Sequence, residues 1–402
     1  DKTETLHLPN EIEMYNPELA GSELVLAVEG GGKSAYLLDK TGKKLFTWSF
    51  DASLGNDLEL LPDGRVLGMF RVENPAFTFK GGYGGIIRLI NPDNSVDWEF
   101  EYVSADYLAH HDVDMLPNGN ILFLAWEKIG SIDAKADGAR VDYDLYSEKL
   151  IEIDTATKEI VWEWTSWDHI VQDANSMLRN YGDVSSSPGK IDINYALQED
   201  GDIMHANGLD YDPERDVIYI SVNHYSEVWV VDHSTTTEEA AGESGGKYNR
   251  GGDLLYRFGN PEAYKNKEGN RIFDRVHFPN ILENGEPGAG NLLVYNNGLK
   301  AKKSTVYELR MPEQFNLVPG KNNEPAIVWT FADSTLSYGR ISGAVRLASG
   351  NTLICEGDYG FWEVTPEGEV AWKYKNTQTT FWRGYAYKRD SPELLSLDIE
   401  HL

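Results

Sequence analysis

Three histidines in this chain fall where a nucleophile and its acid–base partners could meet. The five residues preceding the first Leu of the turns Leu61–Gly64 (LPDG), Leu116–Gly119 (LPNG), Leu282–Gly285 (LENG) and Leu347–Gly350 (LASG) begin with Asn56, His111, His277 and Ser342 respectively, and the related turn DPERD at Asp212–Asp216 sets Asn207 at the same point. His205 lies two residues before Asn207, so strand alternation puts both on one face. A neutral imidazole nitrogen can attack an electrophile, and a second imidazole in reach can carry the proton. The plainer alternative is a ring of polar side chains that only hydrogen-bond across a wet channel; the bias toward imidazole favours chemistry. Asp112 beside these histidines would complete a set of metal-donor types. No His-x-His or His-x-x-x-His pair occurs among them, so no metal and no other cofactor is expected.

The elements that would bring these positions together are repeated. Strands ending in a Trp or another aromatic recur over Tyr36–Trp48, Ile86–Trp98, Leu150–Trp164, Val228–Phe258, Val306–Trp329 and Phe361–Trp372, and the tight turns lie between them, with ELAGSELVL as a worn further copy. A strand-and-turn repeat of about 45–65 residues is the mark of propeller blades. The reading is an all-β fold, a six-bladed β-propeller forming one domain over residues 1–402, in which equivalent inner-strand positions converge on a central channel. FWRGYAYK at Phe381–Lys388, or a strand from the N-terminus, would complete a blade and leave no open edge.

Three insertions interrupt the repeat, near residues 128–147, 167–194 and 233–253. The first reads as a short helix and an acidic loop, the second as a helical piece over Asp173–Arg179 followed by a turn at SSSPGK, and both are expected over one mouth of the channel. The third reads as a surface loop in which TTTEEA could start a Thr-capped helix. GGYGG at Gly81–Gly85 is a flexible turn rather than a phosphate loop, because no Lys-Ser or Lys-Thr follows it.

The 402 residues carry 65 acidic and 36 basic side chains, a net charge of −29. Such a surface repels nucleic acid and anionic membrane, so neither is an expected partner, and any site for a sulfate or carboxylate needs local donors to overcome the field. The single cysteine, Cys355, makes no intrachain disulfide and reads as a small buried hydrophobe. No run reaches the length of a membrane span. The chain opens DKTETLHL without Met, and an export signal removed ahead of it is the expectation.

AHHDVDMLPNGNIL (Ala109–Leu122), HANGLDYDPERDVIYISVNHYSEVWVVDHSTTT (His205–Thr237), GGDLLYRFGNPEAY (Gly251–Tyr264), VHFPN with NLLVYNNG (Val276–Gly298) and ISGAVRLASGNTLICEG with FWEVTPEGEVAWKY resemble the bacterial arylsulfotransferase family over roughly residues 20 to 390. The resemblance implies a six-bladed propeller, periplasmic or secreted, that moves a sulfuryl group from an aryl sulfate donor to a phenolic acceptor without a nucleotide donor, through a sulfohistidine in the channel. His277 matches the family's nucleophile, His205 the His of its His-x-Asn-Ser motif, and His111 its first channel His.

The chain departs from that pattern at two places. Where many relatives carry Arg in Ser-x-Arg, this chain has Asn223 in ISVNHYSE, so the positive donor for the sulfuryl oxygens must come from elsewhere; Arg340, two residues before Ser342, and His224 are candidates. His277 is followed by Phe278 instead of the family's Asp, so the imidazole needs another orienting partner. His110 alternates away from the channel and reads as structural. His169, in a loop over the mouth, and Tyr225 and His233 at the rim are possible substrate contacts. Two other functions remain open on this scaffold: another enzyme, such as a His/Tyr polysaccharide lyase or a His-ligated metalloenzyme, and a ligand-binding propeller without chemistry. Oligomeric state is unassigned.

Overall fold

Each tight turn joins an innermost strand to the next strand of an antiparallel sheet. In LPNG, Leu116 and Asn120 close the hairpin at 2.9 Å and Gly119 adopts φ +87°; the glycines ending the other such turns, Gly64, Gly285 and Gly350, have φ of +84°, +97° and +92°. A side chain disfavours that left-handed backbone, which is why the repeat ends in Gly. The computed structural model describes residues 8–399, so the first seven residues of the opening segment, and with them the export expectation, lie outside the described residues.

The chain is mostly sheet with few helices, in a propeller-like arrangement. Four-stranded antiparallel units run from Leu54–Leu60 out to Val96–Glu101, from Tyr107–Met115 out to Ile160–Thr165, from Ala206–Asp212 out to Tyr256–Phe258, from Val276–Ile281 out to Ala326–Phe331, and from Gly343–Arg346 out to Val370–Lys375. The first two units share one parallel pair, Asn56 with His111. Phe381–Tyr387 pairs with Leu24–Glu29, from Leu24 opposite Tyr387 to Glu29 opposite Phe381, and so heads the sheet that continues through Ser34–Leu38 and Lys44–Ser49. Closure thus falls to the C-terminal segment, while the N-terminal strand Ile12–Tyr15 adds to the outer edge of Val370–Lys375. Innermost strands touch in series: 54–60 to 107–115, then 206–212, 276–281, 343–346, 381–387 and back to 54–60.

Apolar residues of neighbouring sheets fill the space between them. Leu122, Leu124 and Trp164 pack with Ile218, Ile220 and Trp229, all almost fully buried, and Trp48, Trp362, Trp372 and Trp382 fill equivalent layers. Truncating such a residue, Leu124→Ala for instance, costs about 2–5 kcal/mol. Cys355 lies in one of these layers, 1% exposed.

The insertions partly follow expectation. Residues 128–147 extend a hairpin that carries the helix Ser131–Ala136, and Thr236 caps the helix Thr237–Ala240 in a capping box with Glu239. No helix forms over Asp173–Arg179. The Gln172 side chain accepts from the amides of Ala174 and Asn175 and donates to the carbonyls of Asn175 and Arg179, which ties the segment into turns. The first two insertions pack on each other through Arg179 with Asp137 and Asn194 with Gly138. Among the described residues, no helix is long and apolar enough to cross a membrane.

Candidate active site

The innermost strands are irregular where the candidate residues sit. His110 pairs with Leu124 but Val113 with Phe123, leaving His111 and Asp112 as extra residues; similar slips occur between Leu54 and Leu58, Ala206 and Gly208, and His277 and Asn280. His111 and His205 adopt φ of +55° and +52°. Bulges of this kind re-aim side chains. They send Asn56, His111 and His277 into a cavity of about 520 Å³, while their chain neighbours Asp57, Asp112 and Phe278 line a second cavity of about 270 Å³.

His277 is held as one tautomer. Asn297 Nδ2 donates to the carbonyls of Tyr338 and Ile341, both at 2.9 Å, so its Oδ1 must accept, and Nδ1–H of His277 donates to it at 2.6 Å. The lone pair is therefore on Nε2, which faces the larger cavity. Burial pushes the His277 pKa down to about 3, so the ring is neutral at ordinary pH.

His205 has the opposite character. Burial opposes its charge, but Asp202, whose Oδ2 meets Nδ1 and whose Oδ1 accepts the His205 amide at 3.1 Å, outweighs it and raises the pKa above 6.5. Nδ1–H of His224 donates to the Asp202 carbonyl at 2.7 Å, and burial lowers its pKa to about 4; the two rings stack with centroids 5.2 Å apart. Adjacent imidazoles with pKa values driven apart are suited to different proton roles.

His111 reaches the same cavity at the end of a buried chain. Glu148 Oε2 lies 2.8 Å from His110 Nε2, and His110 Nδ1 lies 2.8 Å from His111 Nδ1. Burial pushes Glu148 well above the usual carboxylate range and holds both imidazoles neutral. With Glu148 protonated, each link donates inward and His111 presents Nε2–H to the cavity. His110, expected to be only structural, is thus the middle of this chain. Gly82 closes over the His111 ring so tightly that a Cβ there would lie 1.9 Å from it, which explains this glycine of GGYGG.

Cations complete the cavity. Arg275 Nη1 donates to Asn223 Oδ1 at 3.1 Å, and Arg71, Lys80 and Arg340 also line the space. None of the four makes an ion pair among the described residues. Unpaired guanidinium groups beside a neutral nucleophile make an oxyanion site.

The arylsulfotransferase (ASST) family model matches residues 23–381. The chain belongs to the arylsulfotransferase family. No curated protein matches it. Among solved structures it is similar to the Cps50 (Swd1) β-propeller domain of Myceliophteria thermophila (9% identity, TM-score 0.39, covering 89% of this chain and 84% of that one). It is also similar to the WD40 domain of Toxoplasma gondii coronin (10%, 0.43, 91% and 69%) and to a putative 6-phosphogluconolactonase of Bacteroides fragilis NCTC 9343 (11%, 0.45, 93% and 100%).

In this member of the family, His277, His205, His111, His224, Asn223 and Arg340 all line one cavity. Three other candidates do not. His169 is fully buried with Nδ1 on Asp253 and Nε2 on the Ala240 carbonyl, both at 2.8 Å. Tyr225 is buried with its hydroxyl on the Asp192 carbonyl at 2.6 Å. The Asn207 amide is consumed by the Val276 carbonyl and the Ser221 hydroxyl. His233 is likewise occupied, between Asp216 and Glu152. Neither of the first two insertions lines the cavity; Gln198, Asp200 and Asp202, just beyond the second, do.

Sequence reading missed Arg275, Asn297, Asp202, Arg71 and Lys80. Arg275 had a visible signal: it lies two residues before His277 and shares its face. Phe278, which replaces the family's Asp, points to the floor, where its ring lies 3.8 Å from the Arg383 guanidinium. Arg383 joins Asp112 at 3.0 and 2.8 Å and Asp57 at 3.3 Å, and this network stands between the two cavities. Among the described residues, no group of three or more His, Cys, Asp or Glu is arranged to hold a metal ion.

Proposed function

We propose that this arylsulfotransferase moves a sulfuryl group from an aryl sulfate ester to a phenolic acceptor through a sulfohistidine on His277, in a single-domain six-bladed propeller acting outside the cytoplasm. The observation that carries the reading is the locked tautomer of His277, whose bare Nε2 opens on a cavity that also holds Arg275.

In the first step Nε2 attacks sulfur, the N–S bond forms and the S–O bond to the aryl group breaks. The leaving aryloxide takes the proton of His205, which its Asp202 partner keeps charged until that moment. Arg275, held by Asn223, and Nε2–H of His111 donate to the sulfuryl oxygens. In the second step neutral His205 takes the acceptor's proton, the phenolic oxygen attacks sulfur and the N–S bond breaks. His277 and His205 return to their starting states, so protons balance over the cycle. The Asn223 that replaces the family's Arg keeps an arginine at the site by binding Arg275.

The test is release of a chromogenic phenol from its sulfate ester with and without a second phenol. Acceptor-dependent release, absent in His277→Ala, and a protein adduct with the mass of one SO3 group that is lost on adding acceptor support the reading. Normal turnover by His277→Ala ends it.

A further inference from the structure

The cavity has two chemical halves. In the series of innermost strands, His111, His205 and His277 come from three consecutive sheets, and Arg275 sits two residues from His277. Two of the other three sheets supply the remaining cations: Arg71 at the end of Val66–Arg71 and Lys80 from the loop beyond it, and Arg340 from the loop leading into Gly343–Arg346. With the His205 imidazolium paired to Asp202, Arg275 alone matches the single charge of a sulfate ester, so these three cations are surplus to the transfer.

Their surroundings do not satisfy them. Arg71 lies 4.9 Å from the Tyr83 ring centroid, and its buried Nε has no hydrogen-bond acceptor. Carboxylates outnumber cations 65 to 36 in the chain, yet none pairs with Arg71, Lys80 or Arg340 among the described residues. For half-buried Arg71 a guanidinium nitrogen without an acceptor is costly unless a ligand supplies one, and the exposed Lys80 and Arg340 line the same cavity. Leu299, Tyr338 and Ile341, close to Arg340 in the lining, can hold the ring that carries the anionic groups.

We propose that the half lined by Arg71, Lys80 and Arg340 binds a second anionic group, so that the preferred substrates are aromatic compounds carrying a ring carboxylate, sulfonate or second sulfate besides the reacting group. This rests on the sulfotransferase reading for its chemistry, and the cavity volume accommodates one aromatic ring with two anionic substituents. It explains how a chain of net charge −29 admits a dianion: the local field at the cavity is reversed.

Binding is measured by calorimetry with benzene-1,3-disulfonate and benzenesulfonate, whose C–S bonds are not transferred. The disulfonate is expected to bind at least about tenfold tighter, with an advantage that shrinks in added salt and disappears in the Arg71→Gln/Arg340→Gln double variant. Lys80→Gln, at an exposed position, serves if the double variant fails to fold, and is expected to reduce the advantage. Equal affinity for the two ligands, or an advantage unchanged in the variants, overturns the proposal. A parallel comparison of kcat/KM for nitrophenyl sulfate with and without a ring carboxylate separates the two readings. Tight disulfonate binding with no turnover of either ester sinks the transferase and leaves the anion subsite, whereas turnover without preference sinks the subsite alone.

Discussion

Nδ1 of His277 donates to Oδ1 of Asn297 at 2.6 Å, and this one bond decides which imidazole nitrogen meets the cavity. Asn297→Leu frees the ring to flip and leaves the carbonyls of Tyr338 and Ile341 without their donor. The lost buried hydrogen bonds are worth about 1–3 kcal/mol, so kcat is expected to fall about 10- to 100-fold. Asn297→Asp sets a carboxylate against His277 and raises its pKa, so activity should be lost at low pH where the wild type, with a pKa of about 3, still works. The pH–rate profiles of the two variants check both outcomes.

His205 is held protonated by Asp202, and its pKa lies above 6.5. Transfer from donors with poor leaving groups should therefore decline as pH rises through that pKa, because the acid is lost. Asp202→Asn removes the opposing carboxylate, burial then prevails, and the basic limb should move down by about one pH unit or more. A donor with a very acidic phenol needs no proton and should show little change, a contrast that steady-state kinetics on two donors resolves.

Arg275 is expected to act on the sulfuryl oxygens and Asn223 to hold it. Arg275→Ala should lower kcat by about 100-fold, the value of one oxyanion donor. Asn223→Ala should cost less, and the double variant should be no worse than Arg275→Ala alone, since the amide acts only through the guanidinium. Additive losses in that double-mutant cycle would give Asn223 its own contact with substrate.

The chain from Glu148 through His110 to His111 predicts an unusual tolerance. In Glu148→Gln the amide oxygen can still accept from Ala206, as Glu148 Oε1 does at 2.8 Å, and the amide nitrogen donates permanently to His110. His111 then keeps its Nε2–H toward the cavity at every pH. Activity is expected within about threefold of wild type, with loss of any decline caused by ionisation of Glu148, whereas His111→Ala should fall about 100-fold.

Asp57 and Asp112 share one guanidinium, and burial together with the Asp112 charge pushes Asp57 up to about 8. Between its ordinary value of 3.8 and about 8 the folded state holds a proton that the unfolded chain has released, so stability should fall as pH rises through this window. Asp57→Asn removes the penalty and should gain up to about 5 kcal/mol at pH 8 while gaining nothing near pH 4. Thermal melts of the two proteins at both pH values measure the difference.

The repeat was legible because four of the units share a left-handed glycine turn and most end in an aromatic, and both leave residue-level marks. Turn register also found His111 and His277, since a fixed count from the turn survives the bulge. Strand alternation did not survive it. The extra residues His111 and Asp112 break the parity that made His110 look remote, and so the Glu148 chain was hidden. Asn297 was invisible for a different reason: it reaches His277 from a loop of the same sheet, 20 residues away in sequence, and reads there as an ordinary turn residue. Rim assignments failed for His169 and Tyr225 because a polar residue in an irregular segment more often ties that segment down than faces a ligand.

The ion network of Arg383 has one more effect. It comes from the strand that closes the ring, and it plugs the channel immediately beneath His111 and His277. The larger cavity thereby ends at this network, and its volume of about 520 Å³ suits one aromatic guest at a time. In the proposed transfer the first product would then have to depart before the second reactant could arrive, leaving the covalent form a waiting time in which water is the chief competitor.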